Sequence, residues 1–265
     1  MKSADDILSV VHSGNIGDII YSIPALLGTL ETTGKSKIDF HLRLDTPVSY
    51  SGIHPLGNVL LNERYAVKLL PLLKRQPYIN KVLLFKNHKV DINLDDFRKL
   101  PIRFQTGVIP RWYFWLSPGS DYDLSKRWIE SDTDLSFSDK IIVSRTQRHR
   151  SQFISYSFLN KFAKNIVFAG VRQEWDLFKN ECPSCAEWIE FEDLLKMANA
   201  FNSCKFFIGN QGMPYTLAES MKINRLLEAN TDAPNNIPFT PNGKDALSQE
   251  GFEAWVKFFV KQTGI

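Results

Sequence analysis

The run Ile7-Leu8-Ser9-Val10-Val11-His12 is short, apolar and rich in β-branched residues, and it ends in Ser13-Gly14-Asn15-Ile16-Gly17-Asp18. After it, apolar residues fall at Ile19, Ile20, Ile23, Leu26, Leu27 and Leu30, the three-and-four spacing that puts side chains on one helix face. The pattern predicts a strand, a glycine turn and a helix. Pro24 inside the helical run predicts a bend or a restarted first turn, and Gly34 predicts a C-cap. A strand over 37–44 follows, then a loop holding Pro47, Gly52, Pro55 and Gly57, a helix over 62–75 and a strand over 81–85. Strands alternating with helices predict a parallel sheet covered by helices.

The alternation stops between residues 112 and 139, where Ser117-Pro118-Gly119-Ser120 and several Asp and Ser residues surround Trp128, a lone aromatic anchor. A linker is expected there. The pattern then restarts with a strand over 140–144, a helix over 155–163, a strand over 165–169 followed by Gly170, and a helix over 191–201. A strand over 205–209, a glycine turn and a helix over 214–222 complete it. The last stretch, 251–261, places Phe252, Trp255, Phe258 and Phe259 mainly on one helical stripe, so it is expected to pack back on a domain surface.

Composition narrows the class. With 265 residues and 43% hydrophobic residues, the chain carries enough apolar surface to fold, which excludes a disordered or fibrous protein. The length permits one domain or two, and the two similar halves favour two. The net charge of +3 is far below the basic excess of a nucleic-acid-binding surface. A mild positive excess lies in the first half, which suits an acidic or membrane-proximal substrate and equally a solvated surface. Three cysteines, Cys182, Cys185 and Cys204, do not make a disulfide framework, and the N-terminus lacks the apolar core of a signal peptide. A cytosolic protein is expected. No apolar run approaches the ~20 residues that cross a bilayer, so membrane contact would be peripheral at most.

Two segments invite chemistry. His12-Ser13-Gly14-Asn15-Ile16-Gly17-Asp18 joins a strand to a helix, where glycines admit close backbone approach and the first helical amides favour an anion. Its G-x-x-G spacing lacks the third glycine of the dinucleotide fingerprint. Asp18 is either a functional carboxylate or an ordinary helix-favouring acid of a first turn. Gly209-Asn210-Gln211-Gly212-Met213-Pro214-Tyr215 is a second such turn, with Pro214 where a first helical turn tolerates it. It suits a pyrophosphate, or it is a plain strand-to-helix connection. The basic run Arg145 to Arg150 is either a phosphate site at the end of a strand or a solvated loop. Cys182-Pro183-Ser184-Cys185 has only Cys204 as a further thiol and no paired His, so structural or incidental cysteines fit better than zinc. Asp91-Ile92-Asn93-Leu94-Asp95 alternates polar and apolar residues, either facing an acceptor or forming a strand edge and a helix cap.

These segments, in this order, resemble glycosyltransferase family nine, the heptosyltransferase-like enzymes. Gly14-Asn15-Ile16-Gly17-Asp18 and Ile23-Pro24-Ala25-Leu26 resemble the family's first loop and helix. Asn210-Gln211-Gly212-Met213-Pro214-Tyr215 with Ala218 resembles its Asp-Thr-Gly-x-x-His turn. Ile141 to Ser144 followed by Arg145, and Val167 to Glu174, resemble its donor-domain strands. The sequence departs at Asn210 for Asp, at Tyr215 for His, and over Ile223 to Glu228, where the family commonly enters a strand after a proline.

The resemblance implies an α/β protein of the GT-B type, two Rossmann-like domains with parallel sheets facing across a cleft. The acceptor domain would span 1–125 and the nucleotide-sugar donor domain 126–250, with a C-terminal helix over 251–265. It implies an inverting, metal-independent glycosyltransferase of bacterial polysaccharide biosynthesis, cytoplasmic, with the inner face of the membrane as a further location. No cofactor or nucleic acid is implied, only a nucleoside-diphosphate sugar and a glycan or other hydroxyl acceptor. Asp18 would be the base, within an acceptor-side loop of His12, Ser13, Gly14, Asn15 and Gly17. Arg145, Arg148, Gly170, Glu174, Asn210, Gln211, Gly212, Met213, Tyr215 and Glu228 would hold the donor, the acids on its ribose. The departures leave open an alternative, a non-catalytic nucleotide- or glycan-binding protein of the same fold.

Overall fold

A computed structural model of the chain describes residues 6–50 and 57–265. Gly52 and Pro55 of the expected loop, and the first five residues of the N-terminus, lie outside the described residues. Packing divides the chain into two compact units, one built mainly from residues 1–103 and 108–124 and the other mainly from 125–192 and 196–265.

The first unit runs β1 (Ile7–His12), α1 (Ile16–Thr33), β2 (Lys37–Leu42), α2 (Glu63–Arg75), β3 (Ile79–Leu84), β4 (Ile92–Asn93), a 3-10 helix (Leu94–Lys99) and α3 (Ile109–Phe114). Its four strands are parallel, in the order β3-β2-β1-β4. Gly34 closes α1 in the left-handed region, and α1 passes through Pro24 without ending there. The Asn62 side chain caps α2 by accepting from the amide of Tyr65. The 91–95 segment is both a strand edge and a cap: Ile92 and Asn93 pair with Val10 and Val11 of β1, and the Asn93 side chain accepts from the amide of Asp95. The first part of the stretch expected as linker packs on α1, and its later part belongs to the second unit, where Trp128 is buried and its amide donates to the Ser220 carbonyl. A Cβ on Gly28 would meet the carbonyl of Asp121 at 2.4 Å, and Thr29 Oγ1 bonds Ser117 Oγ at 2.6 Å, so this crossing needs a glycine.

The second unit runs β5 (Ile141–Ser144), a 3-10 helix (Tyr156–Asn165), β6 (Ile166–Ala169), α4 (Arg172–Glu181), β7 (Glu187–Ile189) and α5 (Leu194–Ser203). It continues with β8 (Phe206–Asn210), α6 (Met213–Ser220), β9 (Arg225–Glu228), β10 (Gly243–Ala246) and α7 (Gln249–Thr263). The order is β10-β9-β8-β5-β6-β7, all parallel. Both sheets therefore wind outward from their first strand and return to its other side, the doubly wound order 3-2-1-4-5-6, truncated after four strands in the first. Strands β5, β6, β8 and β9 are buried along their whole length, which explains the near-continuous apolar runs of the first three. Over Ile223 to Glu228, where the sequence departs from the family's pattern, the chain enters strand β9 without a preceding proline. Helix α7 does pack on this core, through Phe252, Val256 and Phe259. Phe252 stacks on Tyr156 and Phe259 on Phe206. Phe258, expected on that stripe, is 45% exposed, because one residue turns the helix by 100° away from Phe259 and Val256 takes the inner position.

Candidate functional site

In doubly wound sheets ligands bind beyond the carboxyl ends of the strands, where the strand order reverses. In the first unit that point lies between β1 and β4, in the second between β5 and β8. Each is occupied by a cluster of polar side chains.

At the first, Asp95 is the hub. Its Oδ1 accepts from the Ser13 amide at 2.9 Å, the Ser13 hydroxyl at 2.7 Å and Arg98 Nη1 at 3.0 Å, and its Oδ2 accepts from Arg43 Nη1 at 2.8 Å. Burial pushes the Asp95 carboxyl up, but bonds from His12 and Ser13 overcome this and hold it well below the usual carboxylate range. His12 is fully buried. Its Nδ1 lies 3.3 Å from Asp95 Oδ1 and 3.0 Å from the Gly14 nitrogen, and its Nε2 lies 3.0 Å from Tyr113 Oη. Burial, then the charge of Asp18, push the Tyr113 phenol well above its ordinary range.

Asp18 stands in the first turn of α1, with its side chain 21% exposed and Oδ2 3.8 Å from Arg98 Nη2. That guanidinium also donates to the Gly14 carbonyl at 2.7 Å and lies over the Phe97 ring. Gly14 has φ +98°, and a Cβ there would come within 3.0 Å of the Leu60 carbonyl. Asn15 stands at the α1 N-cap but does not cap with its side chain; its Oδ1 accepts from Tyr50 Oη at 2.7 Å. Gly17 lies within the first turn. The structure thus brings His12, Ser13, Gly14, Asn15, Gly17 and Asp18 together and adds Arg43, Asp95, Arg98 and Tyr113. Asp95 belongs to the alternating segment noted in the sequence. The other three carried no local signal, since residues far apart in sequence meet only through β-strand pairing and helix α3.

At the second, Asn210 staples the 145–150 loop. Its Oδ1 accepts from the Thr146 amide at 2.8 Å, and its Nδ2 donates to the carbonyls of Thr146 at 3.0 Å and Arg148 at 2.6 Å. A carboxylate could accept the first of these bonds but donate neither of the others, which gives Asn in place of Asp a physical reason. Gly212 is the α6 N-cap and provides no side-chain cap, with Met213 and Pro214 opening the helix. Arg148 is exposed on the loop.

Two expected donor contacts are committed elsewhere. Arg145 is buried and donates to Glu228 at 2.8 and 2.9 Å, to Glu181 at 2.6 Å and to the Ile154 carbonyl at 2.7 Å. Glu228 is fully buried and also accepts from the Ser151 amide at 2.6 Å. As placed, neither faces a ligand, because isolated charges at that depth are stable only when paired. Tyr215 is likewise turned inward, its hydroxyl 3.4 Å from Glu219 Oε2, and Gln211 bonds Asn235. Glu174, beside Gly170, turns back on the Val171 amide at 3.4 Å. Burial raises its carboxyl, opposed by bonds from the Val171 and Gln147 amides. An open cavity of 680 Å³ lies next to this loop, on the Glu181 side, bordered by Arg150, Ser151, Phe153, Ser155 and Gln249.

Cys182 and Cys185 are buried and unbridged, and Cys182 Sγ donates to the Tyr156 carbonyl. Among the described residues no three His, Cys, Asp or Glu side chains are grouped to hold a metal ion, and no helix is long and apolar enough to cross a membrane.

This architecture is the fold of the heptosyltransferases. The glycosyl transferase family 9 structure from Veillonella parvula matches with a TM-score of 0.60 at 14% identity, over 95% of this chain and 88% of that one. The E. coli ADP-heptose lps heptosyltransferase II matches at 0.61 and 10% identity, over 98% and 99%. E. coli heptosyltransferase WaaC, solved with ADP-2-deoxy-2-fluoro heptose, matches at 0.57 and 11%, over 97% and 99%. No protein-family model and no curated protein matches the sequence.

Proposed function

We propose that the protein is an inverting glycosyltransferase that moves a sugar from a nucleoside-diphosphate sugar to a hydroxyl of a glycan or other acceptor. The observation that carries the reading is Asp18: a half-buried carboxylate in a first helical turn, beyond the strand ends where the sheet order reverses, with a guanidinium beside it. In this reading Asp18 takes the acceptor hydroxyl proton as the acceptor oxygen bonds to the anomeric carbon. The bond from that carbon to the diphosphate breaks, and its electron pair leaves with the diphosphate. One displacement inverts the centre. A helix N-terminus and a cation suffice to meet the charge on the leaving group, so the step is assigned to protein groups and no metal is invoked.

The heptosyltransferase fold supports the reaction class, and the ADP-linked sugar in the WaaC structure places ADP-sugars first among donors to try. A binding-only protein is the second reading, favoured by the burial of Arg145, Glu228 and Tyr215, the groups a donor would otherwise meet. Incubation with a panel of ADP-, GDP-, UDP- and CMP-sugars, followed by nucleotide release and thermal shift, separates the two. Release with one donor supports transfer, a shift without release supports the second reading, and neither effect with any donor refutes both.

A further inference from the structure

We propose that Asp95 is a positioning residue for the Asp18 site: it holds Arg98 beside Asp18 while taking up the guanidinium charge that would otherwise fall on that carboxylate. The inference rests on the reading of Asp18 as the base.

A base must accept a proton, and an uncompensated guanidinium within about 4–6 Å opposes this by favouring the ionised form. Among the described residues two guanidiniums reach this cluster. Arg43 gives its nearest nitrogen to Asp95 at 2.8 Å, and Arg98 gives Nη1 to Asp95 at 3.0 Å. The nearest approach of Arg98 to Asp18 is 3.8 Å, outside hydrogen-bond range. Asp95 therefore holds the closer claim on both cations. It is also fixed in place by three groups: the Ser13 amide, the Ser13 hydroxyl and the cap at Asn93. Arg98 is fixed in turn, by Asp95 on Nη1, the Gly14 carbonyl on Nη2 and the Phe97 ring beneath it. Among the described residues the remaining titratable groups facing the cluster are His12 on β1 and Tyr113 on α3. Asp95 touches no reacting atom in this scheme; it acts through Arg98.

The test is a pH titration of the aspartate carboxyl carbons by 13C NMR in the full-length protein, the Asp18 signal being identified by its loss in Asp18→Asn. In Asp95→Asn the Asp18 signal is expected to titrate about 1 pH unit lower than in the unchanged protein, at the low end of what an adjacent opposite charge does. In Asp95→Asn with Arg98→Gln it returns to within a few tenths of a unit. Coincident titrations in Asp95→Asn and the unchanged protein overturn the proposal. If Asp95→Asn does not fold, Arg98→Gln alone decides: a rise below about 0.5 unit fits a cation already compensated by Asp95, and a rise above about 1 unit overturns it. With a donor that turns over, Asp95→Asn lowers kcat about tenfold, shifts the acid limb of its pH profile and leaves the donor KM within about twofold. Undiminished turnover in Asp18→Asn refutes the base reading and leaves the titrations standing. An inactive Asp18→Asn with unmoved titrations refutes only the role of Asp95.

Discussion

Asn210→Asp restores the acid that the resemblance to family nine leads one to expect, and it should be harmful. Asn210 is 2% exposed, and only one orientation of its amide serves its neighbours, with Oδ1 toward the Thr146 amide and Nδ2 toward two carbonyls. The substitution loses two donated bonds, worth about 1 kcal/mol each. It also sets a desolvated negative charge against two carbonyl oxygens, which adds about 1–3 kcal/mol. Those carbonyls keep one other donor each, Arg150 Nε for Thr146 and Thr146 Oγ1 for Arg148, so the lower part of that range applies. A destabilisation of about 3 kcal/mol lowers the melting temperature by about 6–12 °C for a unit of this size. Tryptophan fluorescence during heating measures it.

The pH dependence has a definite sign. The new carboxyl is buried against acceptors, so its folded pKa lies above the value of about 3.9 for an unfolded chain. The protonated form can donate one of the missing bonds, and the deficit is smallest at low pH and grows as pH rises through the folded value. The gap to the unchanged protein should therefore be wider at pH 7.5 than at pH 4.5. Melting within 2 °C of the unchanged protein at pH 7.5 would mean that Asn210 does not hold the loop through its amide.

Other substitutions test separate parts of the structure. Gly14→Ala places a Cβ 3.0 Å from the Leu60 carbonyl at φ +98° and should cost about 2 kcal/mol in urea unfolding, since the positive φ alone costs about 1–2 kcal/mol. Phe259→Ala empties a buried site stacked on Phe206 and should cost about 3–5 kcal/mol, whereas Phe258→Ala, at an exposed ring, should stay within about 0.5 kcal/mol. Asp95 contributes stability through its lowered carboxyl pKa, which is present above the unfolded value and lost as pH falls below about 4. Asp95→Asn should thus be the less stable protein at pH 7, with the two unfolding curves converging in acid.

Periodicity located the strands and helices whose own residues carry the pattern. The runs at Ile141–Ser144, Ile166–Ala169 and Phe206–Asn210 are strands buried on both faces, Ile7–His12 is a strand mostly buried, and helix α1 carries an unbroken apolar stripe. Elements with little apolar content did not stand out. Helix α4 begins Arg172-Gln173-Glu174 and buries only Glu174, Trp175 and Phe178, β7 is three mostly exposed residues, and β10 reads Gly-Lys-Asp-Ala. The loop from His12 to Asp18 was legible because its glycines and acid are contiguous. Its partners were not: Arg43, Arg98 and Tyr113 reach it through strand pairing and helix packing that no local window contains. Charge type was a poor guide in the second unit. Arg145 and Glu228 resemble ligand-binding groups as letters, but the fold buries them against each other.

In the proposed glycosyl transfer Asp18 is the base. The most direct test of this role compares the unchanged protein with Asp18→Asn in nucleoside-diphosphate release from whichever sugar donor is turned over, with binding of that diphosphate followed in parallel. Loss of general-base catalysis should lower kcat by about 10²–10⁴-fold while diphosphate affinity stays within about twofold. Equal turnover in the two proteins would show that Asp18 is not the base.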